Sequence, residues 1–83
     1  MAQFEKNDTQ EKIIAIIVDE LKVDRDLVSQ ASTFSDLGAD SLDMVQIMMK
    51  FEEQFGIEIN DEDAEKMTKL ADVVDYVNER RTK

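Results

Sequence analysis

The centre of the chain, residues 37–56, reads LGADSLDMVQIMMKFEEQFG. Asp40 is a favourable N-cap residue, and Gly56 readily adopts the left-handed conformation that ends helices. We therefore expect a helix from about Ser41 to Phe55. When its residues are placed about 100° apart, one polar arc emerges. The arc contains Asp43, Gln46, Lys50, Glu53 and Gln54.

The phase of this helix separates its apolar side chains into two groups. The first group should face the core and comprises Met44, Ile47, Met48, Phe51 and Phe55. The second group centres about 120° away, beside the polar arc, and comprises Leu42, Val45 and Met49. A helix that packs on one side needs only the first group. The second group is either covered by the preceding connection or left partly exposed for a partner.

The chain before this centre predicts one helix and a long connection. Good N-cap residues at positions 7–9 place the start of the first helix near Thr9, and its end near Lys22. Its apolar face comprises Ile13, Ile14, Ile17, Val18 and Leu21. Residues 23–40 have no sustained period and predict a long connection with a short helical turn at 24–28. Its expected apolar anchors are Val23, Leu27, Val28, Phe34 and Leu37.

The chain after this centre predicts two further helices. Asn60 should cap a brief acidic helix through about Glu65, and Thr68 should cap the last helix. Residues 78–83 are expected to form a basic, fraying tail. With no proline and two glycines, the sequence favours helices over a turn-rich β fold. We expect one domain over residues 1–83, an all-α bundle of three principal helices and one short helix, with a long loop between the first two helices.

The net charge of −10 restricts the classes of partner. Residues 36–66 contain ten acidic side chains against Lys50 and Lys66, so this stretch carries −8 of the −10. Such a charge opposes binding to nucleic acid or anionic membranes and attracts basic partners, although an acidic surface can also serve solubility alone. The longest apolar run, residues 13–18, is too short to cross a membrane, and the N-terminus lacks signal-peptide features. We expect a cytoplasmic monomer.

Ser41, between Asp40 and Asp43, is the candidate functional residue. The chain has no histidine or cysteine, so a serine nucleophile would lack its usual base, and Lys50 lies more than two turns further along. No acidic segment has the spacing of a calcium-binding loop, so we expect no metal site. A serine at a helix start commonly caps the backbone. Because Asp40 can perform that role, Ser41 can instead present a free hydroxyl for modification.

The run LGADSLD at residues 37–43 resembles the attachment motif of acyl carrier proteins. The similarity continues through FEEQFGIEI at 51–59 and DEDAEK at 61–66, with the first helix matching in pattern more than in letter. The resemblance therefore covers essentially the whole chain. Gln46 stands where family members usually have an acid, Lys50 adds a positive charge to the same arc, and Asn60 replaces a common proline. These departures bear on the choice of partners.

The resemblance implies a carrier and not an enzyme. Ser41 would bear 4′-phosphopantetheine, taken from coenzyme A by a phosphopantetheinyl transferase. The arm's thiol would hold growing acyl chains as thioesters for the enzymes of fatty-acid biosynthesis. The residues expected to meet these enzymes, whose docking patches are basic, are Asp40, Leu42, Asp43, Val45, Met49, Glu52 and Glu53. The residues expected to surround the acyl chain, or otherwise to be ordinary core, are Met44, Met48, Phe51, Ile59, Met67 and Tyr76.

Two other functions are compatible with the sequence. One is a specialised carrier for another pathway, such as polyketide assembly. The other is an unmodified acidic helical adaptor that binds a partner through Leu42, Val45 and Met49. Attachment of phosphopantetheine to Ser41 distinguishes a carrier from an adaptor.

Overall fold

The structure, a computed structural model, describes residues 4–29 and 31–83, and residues 1–3 of the N-terminal stretch considered above lie outside it. The helices in the described part are α1 (Lys6–Leu21), α2 (Ser41–Phe55), α3 (Asp61–Lys66) and α4 (Leu70–Arg80), with a 3₁₀ turn at Arg25–Leu27. The all-α fold with a long loop between the first two helices is confirmed. Helix α1 packs against both α2 and α4. No helix in these residues is long and apolar enough to span a bilayer.

A hydrophobic core fills the space between the three long helices. Its fully enclosed side chains are Ile13, Ile17, Ile47, Phe51, Phe55, Val73 and Val77. The rings of Phe51 and Phe55 pack at a tilt, with their centroids 6.4 Å apart. Met44, predicted to be core, is only partly buried and packs at the edge of this cluster.

Two predicted helix starts are wrong. Helix α1 begins at Lys6, three residues before Thr9, which is buried and donates its hydroxyl to Asn78 Oδ1 at 2.6 Å. Helix α4 begins at Leu70 with Lys69 as its N-cap residue, whereas the Thr68 carbonyl accepts a hydrogen bond from the long loop. In both cases a threonine that resembles a local cap makes a contact with a distant part of the chain.

The long loop between α1 and α2 is attached to the start of α4. The Phe34 N–H donates to the Thr68 carbonyl at 3.2 Å, and the Leu70 N–H donates to the Ser32 carbonyl at 3.0 Å. Val28 and Phe34 are buried as expected, but Leu27 is 63% exposed and is not an anchor. The loop therefore runs past the start of α4 before it reaches Ser41, the first residue of α2.

The C-terminal segment closes one end of the bundle and does not form the fraying tail that we expected. Arg81 is buried, and its Nη1 donates to Asp8 Oδ2 at 3.0 Å and to Thr9 Oγ1 at 2.9 Å. Its guanidinium carbon lies 3.9 Å from the ring centroid of Phe4 and 4.9 Å from that of Phe55. These contacts tie residues 78–83 to the first turn of α1 and the end of α2.

Candidate functional site

The start of α2 is defined by a turn and a reciprocal cap. Gly38 has φ of +84°, a left-handed conformation that glycine adopts without a steric penalty. Asp40 Oδ1 accepts the Asp43 N–H at 2.8 Å, and Asp43 Oδ2 accepts the Asp40 N–H at 3.2 Å. Asp40 is therefore the N-cap residue, as the sequence predicts.

Ser41 is the first residue of α2 and is exposed. Among residues 4–29 and 31–83, no group forms a hydrogen bond with its hydroxyl. The unpaired amides and the dipole at the start of a helix favour an anion such as a phosphate ester, while the carboxylates of Asp40 and Asp43 oppose it. The hydroxyl is thus sterically and chemically free to be esterified.

A groove of about 450 Å³ opens beside Ser41 and runs between α2 and α3. Its lining residues are Ser41, Met44, Val45, Met48, Met49, Glu52, Ile59, Asp61, Ala64 and Glu65. Three of the six residues predicted for an acyl-chain cavity, Met44, Met48 and Ile59, lie in this lining. Phe51 and Met67 are instead buried in the core, and Tyr76 is partly buried beside it.

The α3 wall of the groove was not predicted. Asp61, Ala64 and Glu65 occupy positions i, i+3 and i+4 of α3, so they share one face of the helix. That spacing was readable from the sequence. The six polar and small residues of α3 gave no apolar stripe to indicate which face it would turn toward α2.

The second apolar group of α2 forms an exposed strip. Leu42 is 65% exposed, Val45 56% and Met49 59%, so the long loop does not cover them. Val45 and Met49 also border the groove. We call Leu42, Val45 and Met49 the apolar strip. Large exposed apolar side chains that lie together commonly indicate a contact surface.

The four acidic residues expected to meet partners differ in their own contacts. Asp40 and Asp43 cap α2, and Glu52 Oε2 accepts the Ile59 N–H at 3.0 Å. Glu53 is exposed and, within the described chain, has no hydrogen bond or ion pair. Glu53 is therefore the acid of this set whose charge is fully available to another molecule.

Two further contacts involve charged groups outside the lining of the groove. The Lys50 ammonium lies 3.3 Å from Glu20 and 3.8 Å from Asp19, so its charge is directed toward α1. The Tyr76 hydroxyl donates to Asp63 Oδ2 at 2.8 Å, and burial together with this carboxylate raises the pKa of the Tyr76 phenol. In the part of the chain that the structure describes, no three carboxylates lie close enough together to hold a metal ion.

Comparison with known proteins identifies the family. A family model described as a phosphopantetheine attachment site matches residues 11–77. The chain is also 53% identical to an acyl carrier protein of Akkermansia muciniphila over 72 residues, which are 86% of this chain and 90% of the relative. The chain belongs to the acyl carrier protein family. The fold is also similar to that of the Thermotoga maritima acyl carrier protein in its crystal structure. The TM-score is 0.79 and the identity 30%, over 96% of this chain and 94% of that one.

Membership of the acyl carrier protein family establishes the covalent cofactor, which is 4′-phosphopantetheine. The matched region includes all of α2 and α3, and therefore both walls of the groove. An exposed, unbonded serine hydroxyl beside a partly apolar groove fits such a group. The acyl carrier proteins to which the chain is similar are carriers by name.

Proposed function

We propose that Ser41 is the attachment point of 4′-phosphopantetheine and that the chain carries growing acyl groups for fatty-acid biosynthesis. The observation that carries the proposal is the free Ser41 hydroxyl at the start of α2, at the mouth of the groove. When bound, the arm supplies a terminal thiol, which this cysteine-free chain lacks, and acyl groups are held on it as thioesters.

Attachment is a substitution at phosphorus in which Ser41 is the nucleophile. The Ser41 oxygen forms a new P–O bond with the phosphorus that bears the pantetheine of coenzyme A. The pyrophosphate bond breaks, and adenosine 3′,5′-bisphosphate leaves. The hydroxyl proton passes to a base that the transferase supplies. The chain is accordingly a substrate and a carrier, and the catalysis belongs to its partners.

The groove offers the acyl chain a partly apolar shelter. Met44, Met48 and Ile59 contribute its apolar surface. Methionine is unbranched and flexible, so two methionines let the walls adapt to chains of different length. Burial of methylene groups against these side chains removes them from water, and it would keep the thioester chain close to the protein during transport.

The apolar strip and the nearby acids provide the docking surface. Leu42, Val45 and Met49 lie exposed next to Ser41 along α2, with Glu53 on the same helix. We infer that the phosphopantetheinyl transferase and the enzymes of fatty-acid synthesis contact the strip with apolar side chains and the acids with basic patches. Charge complementarity of this kind mainly raises the rate of encounter. The carrier would act in the cytoplasm.

Intact mass after incubation with coenzyme A and a broad-specificity phosphopantetheinyl transferase tests the attachment. The native chain should gain the mass of one phosphopantetheine, and Ser41→Ala should gain none. A native chain that gains nothing would overturn the proposal and leave the acidic adaptor. A gain that persists in Ser41→Ala would place the group on another residue.

The rate of the same reaction tests the docking surface. Glu53→Lys should slow loading by about tenfold at low salt, and the difference should shrink as salt screens the charge. Glu79→Lys on α4 makes the same change of charge outside the proposed surface and serves as the control, since Glu79 is exposed and its ion pair with Arg80 lies within α4. Equal loading rates for the two variants would count against Glu53 as part of the docking surface.

A further inference from the structure

Helix α3 forms one wall of the groove and makes few buried contacts with the rest of the bundle. It comprises six residues, and none of them is buried. Asp61, Ala64 and Glu65 face the groove opposite the methionines of α2. A movement of α3 away from α2 would therefore widen the groove, and Ala64, which is partly buried, is the only α3 side chain that packs against the core in the described structure. Elements with few buried contacts are those that open most readily.

Tyr76 ties this wall to the rest of the bundle. Its hydroxyl donates to Asp63 Oδ2 at 2.8 Å, and among the described residues this is the one side-chain hydrogen bond from α3 to another helix. The ring of Tyr76 is held in place by Arg80 of the same helix, whose guanidinium carbon lies 4.0 Å from the ring centroid. Helix α4 in turn buries Leu70, Val73 and Val77 in the core.

A second contact fixes the entrance to α3. Glu52 Oε2 accepts the Ile59 N–H at 3.0 Å, so the link between α2 and α3 is tied to α2 itself. At the other end of α3, the Met67 side chain is buried. The six residues of α3, which lie between these two attachments, bury no side chain fully, so they are the part of the wall that can shift. The Tyr76–Asp63 hydrogen bond acts on that part.

We propose that Tyr76 is a positioning residue that sets the length of acyl chain accepted by the groove, because its bond to Asp63 holds α3 at a fixed separation from α2. The proposal rests on the proposed carrier function. Each additional methylene gains by leaving water until the groove is full. Beyond that length the chain enters only if α3 moves outward, and outward movement breaks the hydrogen bond. Loss of the bond should therefore shift acceptance toward longer chains.

The first test uses the chain without its cofactor. Amide hydrogen exchange by NMR should be about tenfold faster in α3 for Tyr76→Phe and for Asp63→Ala than for the native chain. Exchange in the buried part of α1 should not change. Glu62→Ala is the matched control, since it removes a neighbouring charge on α3 that makes no bond to Tyr76. Unchanged α3 exchange in both variants would overturn the proposal.

The second test measures chain length. Ser41 is loaded with phosphopantetheine bearing acyl groups of increasing length, and hydroxylamine cleavage reports how well each thioester is sheltered. The length with the slowest cleavage should increase by about two carbons or more in Tyr76→Phe and Asp63→Ala, and should not change in Glu62→Ala. A length profile that does not change although α3 exchange is faster would overturn the role of Tyr76.

The outcomes separate this proposal from the one on which it rests. Failure to load the native chain at all contradicts the carrier function, whatever α3 does. A loaded chain with an unchanged length profile contradicts only the role of Tyr76. If Tyr76→Phe fails to fold, Asp63→Ala decides the question, because the Asp63 side chain is partly exposed and its removal leaves no core cavity.

Discussion

Arg81 shows how a single charged residue can be buried in this small fold. Only 1% of its side chain is exposed, so its charge is removed from water. Hydrogen bonds to Asp8, Thr9 and the Lys83 carbonyl compensate, and the rings of Phe4 and Phe55 face the guanidinium. Arginine suits such a site because its planar group donates in several directions at once. Together with the hydrogen bond from Thr9 to Asn78, this side chain joins the two ends of the described chain.

Replacement of Arg81 should therefore destabilise the fold. Arg81→Ala is expected to lower the free energy of unfolding by about 2 kcal/mol, through lost charge-assisted hydrogen bonds and lost packing on the rings. Arg81→Lys should not restore the native value. Urea denaturation measures both. Arg25→Ala, which removes an exposed ion pair with Glu11, should change stability by less than about 1 kcal/mol. Equal effects at the two arginines would contradict a structural role for Arg81.

The pH dependence of the same measurement should reveal the Asp8 partner. Hydrogen bonds from Arg81 and then Lys12 hold the pKa of the Asp8 carboxyl below its ordinary value of 3.8. A carboxyl whose pKa is lowered on folding contributes stability that is fully present above the ordinary value and is lost as the pH falls through the folded one. The stability difference between the native chain and Asp8→Asn should thus be constant near neutral pH and narrow below about pH 4.

At the scale of the helices, two neighbouring residues at the start of α2 have different roles, one in capping and one as the proposed attachment point. Asp40 caps the helix, and the Ser41 hydroxyl has no bond in the described structure. Asp40→Ala should lower the free energy of unfolding by about 1 kcal/mol, whereas Ser41→Ala should change it by less than about 0.5 kcal/mol. Urea denaturation compares them. A loss in Ser41→Ala as large as that in Asp40→Ala would mean that the serine is needed for the cap.

Local signals predicted the helices whose ends depend on local contacts. The bounds of α2 were predicted correctly because Asp40 and Gly56 act within a few residues of themselves. The start of α1 was not, since the Thr9 hydroxyl bonds Asn78, 69 positions away in sequence. The order of the C-terminal segment could not be predicted for the same reason, because the partners of Arg81 lie at the opposite end of the chain.

The candidate site was predictable to a similar degree. Helical phase separated Leu42, Val45 and Met49 from the core group, and the structure leaves all three exposed. Phase alone could not decide between exposure and cover, since that depends on the long loop, which is bonded to the start of α4. Likewise, the sequence named Tyr76 but not its bond to Asp63, which depends on how α3 is placed against α4.

At the scale of the whole molecule, the charges are unevenly paired. The described ion pairs involve Lys6, Lys12, Arg25, Lys50, Arg80 and Arg81. Every one of these pairs has its acid on α1 or α4, and no acid of α3 is paired with a cation in the described residues. The unpaired negative charge is therefore concentrated around the groove and Ser41. The same negative charges that would attract the proposed basic partners also repel one another within the folded chain.

Salt should therefore affect folding and docking in opposite directions. Raising the ionic strength from about 0.01 M to 0.15 M shortens the screening length from about 30 Å to 8 Å. If screening of the −10 charge stabilises the fold by about 1 kcal/mol, the melting temperature of a chain of this size rises by about 4–8 °C. Calorimetry at several salt concentrations measures this rise, and Asp61→Asn combined with Glu62→Gln should reduce it. A melting temperature that is flat or falls with salt would contradict self-repulsion.

Loading by a basic transferase should slow over the same range of salt concentration. The screening that stabilises the fold also weakens the attraction that brings the partner to Ser41.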